Sequence, residues 1–255
     1  ELCDIDRAEV FGKLSQEDLG VAYESYVKAR YLEDLRSKFG LESMLEIRRA
    51  NSGENALIVR GLKRHAIALE GGHGVNPRRT LSPTPHDLVE SELSHIPFRS
   101  NTFDLVCSPD LTERALSTVG YVREMGRVST RFILIFLPNP FHIGHIISRC
   151  LTNARSIRKA QKSWISAGHI GDAVRKAGLK TVETGGIDAP PWPSHLSVAN
   201  LARRSGIKWR WGILGKRRCP RLICVLAEME RSMPRWLRTI QGHITYVLAV
   251  KEEQL

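Results

Sequence analysis

Five short apolar runs, separated by stretches of helical spacing, constrain the fold of this 255-residue chain more than any other feature. They are Ser43 to Ile47, Ala66 to Glu70, Asp87 to Glu90, Phe103 to Ser108 and Phe132 to Pro138, with helix-like segments around Asn55 to Lys63 and Thr112 to Arg127. A strand that leaves a sheet through a helix and returns beside itself makes a right-handed βαβ unit, and a series of such units buries both faces of a parallel sheet. The pattern predicts an α/β fold with a doubly wound, mostly parallel sheet. Upstream, Leu19, Tyr23, Tyr26, Val27, Tyr31 and Leu35 recur at helical spacing and Gly40 supplies a stop, which predicts an N-terminal helical segment over 1–40. The core, 41–183, takes in a long, basic, mostly helical region and a sixth strand, Leu179 to Glu183. Residues 184–255 open with a Gly/Pro-rich connection, Gly185 to Pro193. They then carry two β-like runs, Leu222 to Ala227 and Ile244 to Val250, expected to return to the sheet as an antiparallel edge.

Charge narrows the partners. Residues 1–127 hold 17 basic and 20 acidic side chains, whereas 128–255 hold 21 and 7, so the net charge of +11 belongs to the second half. Between Arg149 and Arg221 stand 16 Lys and Arg against Asp172, Glu183 and Asp188. Within that region Arg203-Arg204, Lys208-Trp209-Arg210-Trp211 and Lys216-Arg217-Arg218 interleave cations with aromatics, as a surface must that pairs phosphates and stacks on exposed bases. The reading is an RNA or ribonucleoprotein partner met by Arg203, Arg204, Lys208, Arg210, Lys216, Arg217 and Arg218. The alternative is a solvated face with both tryptophans in the core.

With 42% hydrophobic residues the chain is not a disordered one. Its longest apolar run, Phe132 to Pro138, is far shorter than the roughly 20 residues that cross a bilayer, so no transmembrane segment is expected. Five cysteines without a Cys-x-x-Cys pair argue against a disulfide framework and a zinc site, and favour a reducing, intracellular setting. Because the chain opens on Glu1, a removed targeting peptide and an organellar matrix stay open.

In an open parallel sheet the first strand-to-helix turn is the usual cofactor loop. Here it reads Met44-Leu45-Glu46-Ile47-Arg48-Arg49-Ala50-Asn51-Ser52-Gly53-Glu54-Asn55-Ala56-Leu57. Glu70 ends the second run, 24 residues after Glu46. Further on come Glu92-Leu93-Ser94-His95-Ile96-Pro97-Phe98, then Phe103-Asp104-Leu105-Val106, then Arg123-Glu124-Met125-Gly126-Arg127-Val128 ahead of the fifth run and Pro138-Asn139-Pro140. From about Leu41 to Glu183 this succession resembles the class I S-adenosylmethionine-dependent methyltransferases of the type 11 kind, whose fold is Rossmann-like. The Ile-Pro-Phe to Phe-Asp-Leu-Val segment and the Arg-Glu-Met-x-Arg-Val helix carry most of the resemblance.

That resemblance implies S-adenosylmethionine as cofactor. It implies Glu70 on the ribose hydroxyls with Gly71 on the pocket rim, Glu92 and Leu93 beside the adenine, and the Glu46 to Gly53 loop around the methionine part. At the end of the fourth run Ser108 and Asp110 are placed to line a substrate pocket, Asp110 serving equally as a helix N-cap. The loop departs from the family in putting Arg48, Ala50 and Ser52 where glycines are expected, leaving Gly53. A side chain at Arg48 fills the methionine pocket, or turns outward to Glu46 or to the cofactor carboxylate. Glu70-Gly71-Gly72-His73-Gly74 also fits acid-x-Gly-x-Gly, but Pro77, Pro83 and Pro85 forbid the helix such a loop must feed.

Other motifs weigh less. Asp188-Ala189-Pro190-Pro191-Trp192 is similar to the Asp-Pro-Pro-aromatic signature of amino-group methyltransferases, but that signature belongs at the end of the fourth strand, where Cys107-Ser108-Pro109-Asp110 stands, so a rigid turn is the better reading. His142 and His145 lack a carboxylate or cysteine at ligand spacing, Cys219 and Cys224 lack a second pair, and no metal is assigned. No catalytic base stands out. Two functions follow: a methyltransferase-like protein acting on or bound to RNA or a ribonucleoprotein, or a cofactor-free, catalytically inactive methyltransferase-fold subunit among the proteins of a large assembly such as an organellar ribosome.

Overall fold

The computed structural model describes residues 19–49, 57, 59–70, 87–91, 95–109, 111, 118–139, 142, 166–189 and 220–251. They fall into two compact units. The first takes the described residues within Ala29–Pro138, Trp164–Thr184 and Thr245–Leu255; the second takes those within Glu1–Lys28, Asn139–Ser163 and Gly185–Ile244.

The elements run α1 (Leu19–Phe39), β1 (Ser43–Arg49), β2 (Arg64–Glu70), β3 (Asp87–Ser91), β4 (Phe103–Ser108), α2 (Thr118–Val128), β5 (Ser129–Pro138), α3 (Ala167–Lys176), β6 (Leu179–Ile187), α4 (Pro220–Ser232), α5 (Arg235–Gln241) and β7 (Ile244–Lys251). The seven strands form one sheet in the order β3-β2-β1-β4-β5-β7-β6. β3, β2, β1, β4 and β5 are mutually parallel, with Glu46 beside Ile67 on one flank and Cys107 on the other. The Thr245 hydroxyl reaches the Leu137 carbonyl and the Lys251 ammonium reaches that of Ser129, so β7 runs antiparallel to β5. All six strands expected through Leu179 are present.

Burial explains the first unit. On β1, Leu45 and Ile47 are buried on one face, Met44, Glu46 and Arg48 on the other, as a central parallel strand covered on both sides requires. Tyr121, Val122, Met125 and Val128 of α2 pack with Leu45, Val106, Ile133 and Ile135 in the main apolar cluster. On α1, Tyr31 rests on Tyr246 and Phe136, and Phe39 on Phe132. Gly40, at φ +64°, then turns the chain toward β1, a conformation that costs a side-chain-bearing residue about 1–2 kcal/mol.

The second unit turns on buried Glu230. Its carboxylate accepts the Tyr23 hydroxyl (2.6 Å) and the backbone N–H groups of Asp188 (2.9 Å) and Ala189 (3.0 Å). Burial pushes this carboxyl above its ordinary range, and those donors with Arg238 only partly oppose the rise.

Three expectations are corrected. Leu222 to Ala227 is helix, within α4: Ile223, Cys224, Ala227 and Glu230 share a buried face while Val225 and Met229 are exposed, a period of 3.6 that a six-residue apolar run does not reveal. Residues 59–63 of the expected helix form a turn around Arg60 and Gly61, the latter at φ +77°. β6 continues through Gly185-Gly186 to Ile187, where a connection was expected, and Gly186 lies so close to the Arg238 carbonyl that a side chain would not fit there.

Candidate functional site

Parallel strands present their carboxyl ends to ligands, and β1 carries the two charged residues the sequence singles out, Glu46 at its centre and Arg48 one residue before its end. Glu46 is fully buried and Arg48 nearly so, and alternation puts both on one face of the strand. Arg48 Nη1 stands 3.4 Å from Glu46 Oε1, and His65 Nε2 of β2 stands 3.3 Å from Oε2. The Leu57 N–H donates to Oε2 at 3.1 Å, which ties the segment after β1 back to the strand. Burial alone raises the Glu46 carboxyl, but Arg48, His65 and the Leu57 N–H outweigh it and hold the group below its ordinary value, so it is ionised. Of the orientations open to Arg48, the structure takes the pairing with Glu46.

The parallel register sets the other expected residues in relation to this pair. Glu70 ends β2 beside Arg49 on one side and Ser91 on the other. Its side chain, with Ala50, Gly53, Gly71, Glu92 and Leu93, lies outside the described residues. Ser108, 2% exposed at the end of β4, follows the Cys107 that pairs with Glu46, and so faces the opposite side of the sheet.

The stretch that carries the resemblance has a physical explanation. Arg127 donates to the Ile96 and Phe98 carbonyls, both at 2.9 Å, and makes three contacts of 2.9–3.1 Å with the Glu124 carboxylate. Glu124 in turn accepts the Ile96 N–H at 3.2 Å. The hydrogen bonds from Arg127 hold Glu124 below the ordinary carboxylate range. Helix α2 thus fastens the segment after Glu92 and Leu93 beside β4, with Phe98 edge-on to Phe103 at 5.0 Å.

In the second unit Asp188 is buried and adopts φ +61°. Its carbonyl accepts the His243 N–H at 2.9 Å, and the His243 ring stacks on that of buried His142 at 3.5 Å. His169 is exposed on α3; His145 and His195 lie outside the described residues, as do Arg203, Arg204, Lys208, Arg210, Lys216, Arg217 and Arg218. Among the described residues no group of three His, Cys, Asp or Glu is placed to hold a metal ion, and no helix is long and apolar enough to cross a membrane. Cys107 is a buried thiol, whereas Cys224 is disulfide-bonded.

Sequence reasoning missed His65. The available signal was a polar residue two before Ile67, on the face that the register aligns with Glu46.

No protein-family model and no curated protein sequence matches the chain. Solved structures do. A proposed sarcosine dimethylglycine methyltransferase from Galdieria sulphuraria superposes with a TM-score of 0.52 at 15% identity, over 98% of this chain and 100% of that one. Magnesium protoporphyrin IX methyltransferase from Synechocystis PCC 6803, with bound SAH, gives 0.51 at 9% identity, over 97% and 94%. The strand order, the antiparallel β7 and these superpositions together establish that the chain has the class I methyltransferase fold.

Proposed function

We propose that this protein binds S-adenosylmethionine and acts on, or is bound to, RNA or a ribonucleoprotein through residues 184–255. The observation that carries the cofactor reading is the ionised Glu46 at the middle of β1, which accepts the Leu57 N–H. The residues present fit a nucleoside cofactor: Glu70, Ser91 and Cys107 end or nearly end the strands around that carboxylate, on the edge where the fold takes its ligands. When bound, the cofactor supplies an electrophilic methyl group. Glu70 would hold its ribose hydroxyls, Glu92 and Leu93 its adenine, and the segment from Glu46 to Gly53 its methionine part. Arg48 neutralises Glu46, so the methionine end meets a balanced pair instead of a bare carboxylate. The interleaved cations and tryptophans between Arg203 and Arg218 support the RNA partner.

Arg48 also favours a second reading, a methyltransferase-fold subunit of a large assembly that has lost the cofactor, because a buried guanidinium stands where the family has a glycine. Titration calorimetry with S-adenosylhomocysteine separates the two. Saturable micromolar binding supports the first reading, and no heat from a folded sample supports the second. For the partner, Arg217→Glu with Arg218→Glu weakens binding to total RNA and lowers its salt dependence by about two charges' worth of slope; unchanged affinity at low salt refutes that face.

A further inference from the structure

Five large apolar side chains are exposed among the described residues, and four of them sit on α4 and α5: Val225 (55% exposed), Met229 (54%), Trp236 (65%) and Ile240 (57%). Each helix presents its two at i and i+4, on one edge. On α4 a hollow of about 430 Å³, lined by Cys224, Val225, Glu228, Met229 and Ser232, opens along that edge. α5 has no buried residue at all. Exposed cations accompany these pairs: Arg221 stands one turn before Val225, while Arg231 and Arg235 flank the link to Trp236. The acidic residues of the two helices are half-buried Glu228 and buried Glu230, which is engaged by Tyr23, Asp188 and Ala189.

We propose that the arginine-flanked apolar edges of α4 and α5 bind the surface of a membrane containing anionic phospholipids. Guanidinium groups alone would suit RNA, but Val225, Met229 and Ile240 have no π face to stack on a base and gain only by leaving water for an apolar medium. The boundary between headgroups and acyl chains offers both requirements at once: phosphates for Arg221, Arg231 and Arg235, hydrocarbon for the aliphatic side chains, and the interfacial depth that an indole such as Trp236 prefers. The placement is peripheral, since neither helix is long enough to span a bilayer.

The full chain is sedimented with vesicles of phosphatidylcholine alone and of phosphatidylcholine with phosphatidylglycerol, at low and physiological salt. Pelleting with the anionic vesicles is expected, with little on the neutral ones. Trp236→Ser with Ile240→Ser lowers partitioning about tenfold, and so does Arg221→Glu with Arg235→Glu. All four positions are exposed, so circular dichroism of the variants should match the wild type. A second readout is the emission of Trp236, taken as the difference between wild type and Trp236→Phe, which shifts to the blue on anionic vesicles. Absence of pelleting at low salt overturns the proposal, as does unchanged pelleting of the Trp236/Ile240 variant. It is equally overturned if those substitutions abolish retention of total RNA or self-association while vesicle binding is absent.

Discussion

The buried pair on β1 lends itself to a double-mutant cycle. Arg48→Met removes the guanidinium and keeps most of the aliphatic stem, leaving the ionised Glu46 fully buried with His65 Nε2 at 3.3 Å and the Leu57 N–H at 3.1 Å. Stripping one partner from a buried ion pair ordinarily costs about 3–5 kcal/mol. Two donors remain to Glu46 and the lost contact is 3.4 Å long, so the low end applies, about 3 kcal/mol. Glu46→Gln strands the Arg48 charge and turns an amide NH2 or a single oxygen toward the Leu57 N–H, for a similar cost of about 3 kcal/mol. In the double variant neither charge is left bare, so the losses should fall short of additivity by about 1.5 kcal/mol or more. Urea unfolding followed by circular dichroism at neutral pH measures all four corners. Acid adds a sign. In the wild type the folded-state value of Glu46 lies below its unfolded value of 4.5, so its contribution is present above pH 4.5 and is lost as pH falls through the lower, folded value. Without Arg48 burial is less opposed and Glu46 takes up its proton at higher pH, so the gap between wild type and Arg48→Met narrows toward acid. Single losses below about 1 kcal/mol that simply add would refute the account of this pair.

Two further substitutions probe the second unit. Gly186→Ala drives a Cβ into the Arg238 carbonyl and to 2.8 Å from the Thr239 Cα, and should cost about 1–3 kcal/mol or more, read as a lowered Tm; an unchanged Tm would mean that the approach of β6 to α5 is not tight. Glu230→Gln leaves one acceptor oxygen for the three donors of Tyr23, Asp188 and Ala189 and should cost about 1–3 kcal/mol at mildly acidic pH. Because burial raises the folded value of Glu230 above the unfolded one, its contribution is full below the unfolded value and declines as pH rises through the folded value. The deficit of Glu230→Gln should therefore shrink with rising pH, and a deficit that widens would overturn the assignment.

Much of the first unit could be read from local pattern. An alternation of apolar runs with helical spacing is encoded residue by residue, and all six strands expected through Leu179 formed, although β5 starts three residues earlier and β6 runs four residues further than expected. The Ile96 to Phe98 segment and the helix bearing Glu124 and Arg127 were legible as motifs, although only the structure shows that the arginine binds the segment's carbonyls. The apolar run Leu222 to Ala227 was ambiguous because six residues fit either a buried strand or one face of a helix, and packing chose the helix.

What the chain's letters determined alone is what depends on periodicity: which segments are strands, that the sheet is mostly parallel, and that Glu46 and Arg48 share one face of β1. What only the tertiary structure decided is which groups meet across strands and turns: His65 beside Glu46, the Leu57 N–H on the same carboxylate, Glu230 beneath Asp188 and Tyr23. Those partners are separated by 11 to 207 positions along the chain. A carboxylate removed from water must find its donors wherever register and packing bring them, and sequence spacing carries no trace of that choice.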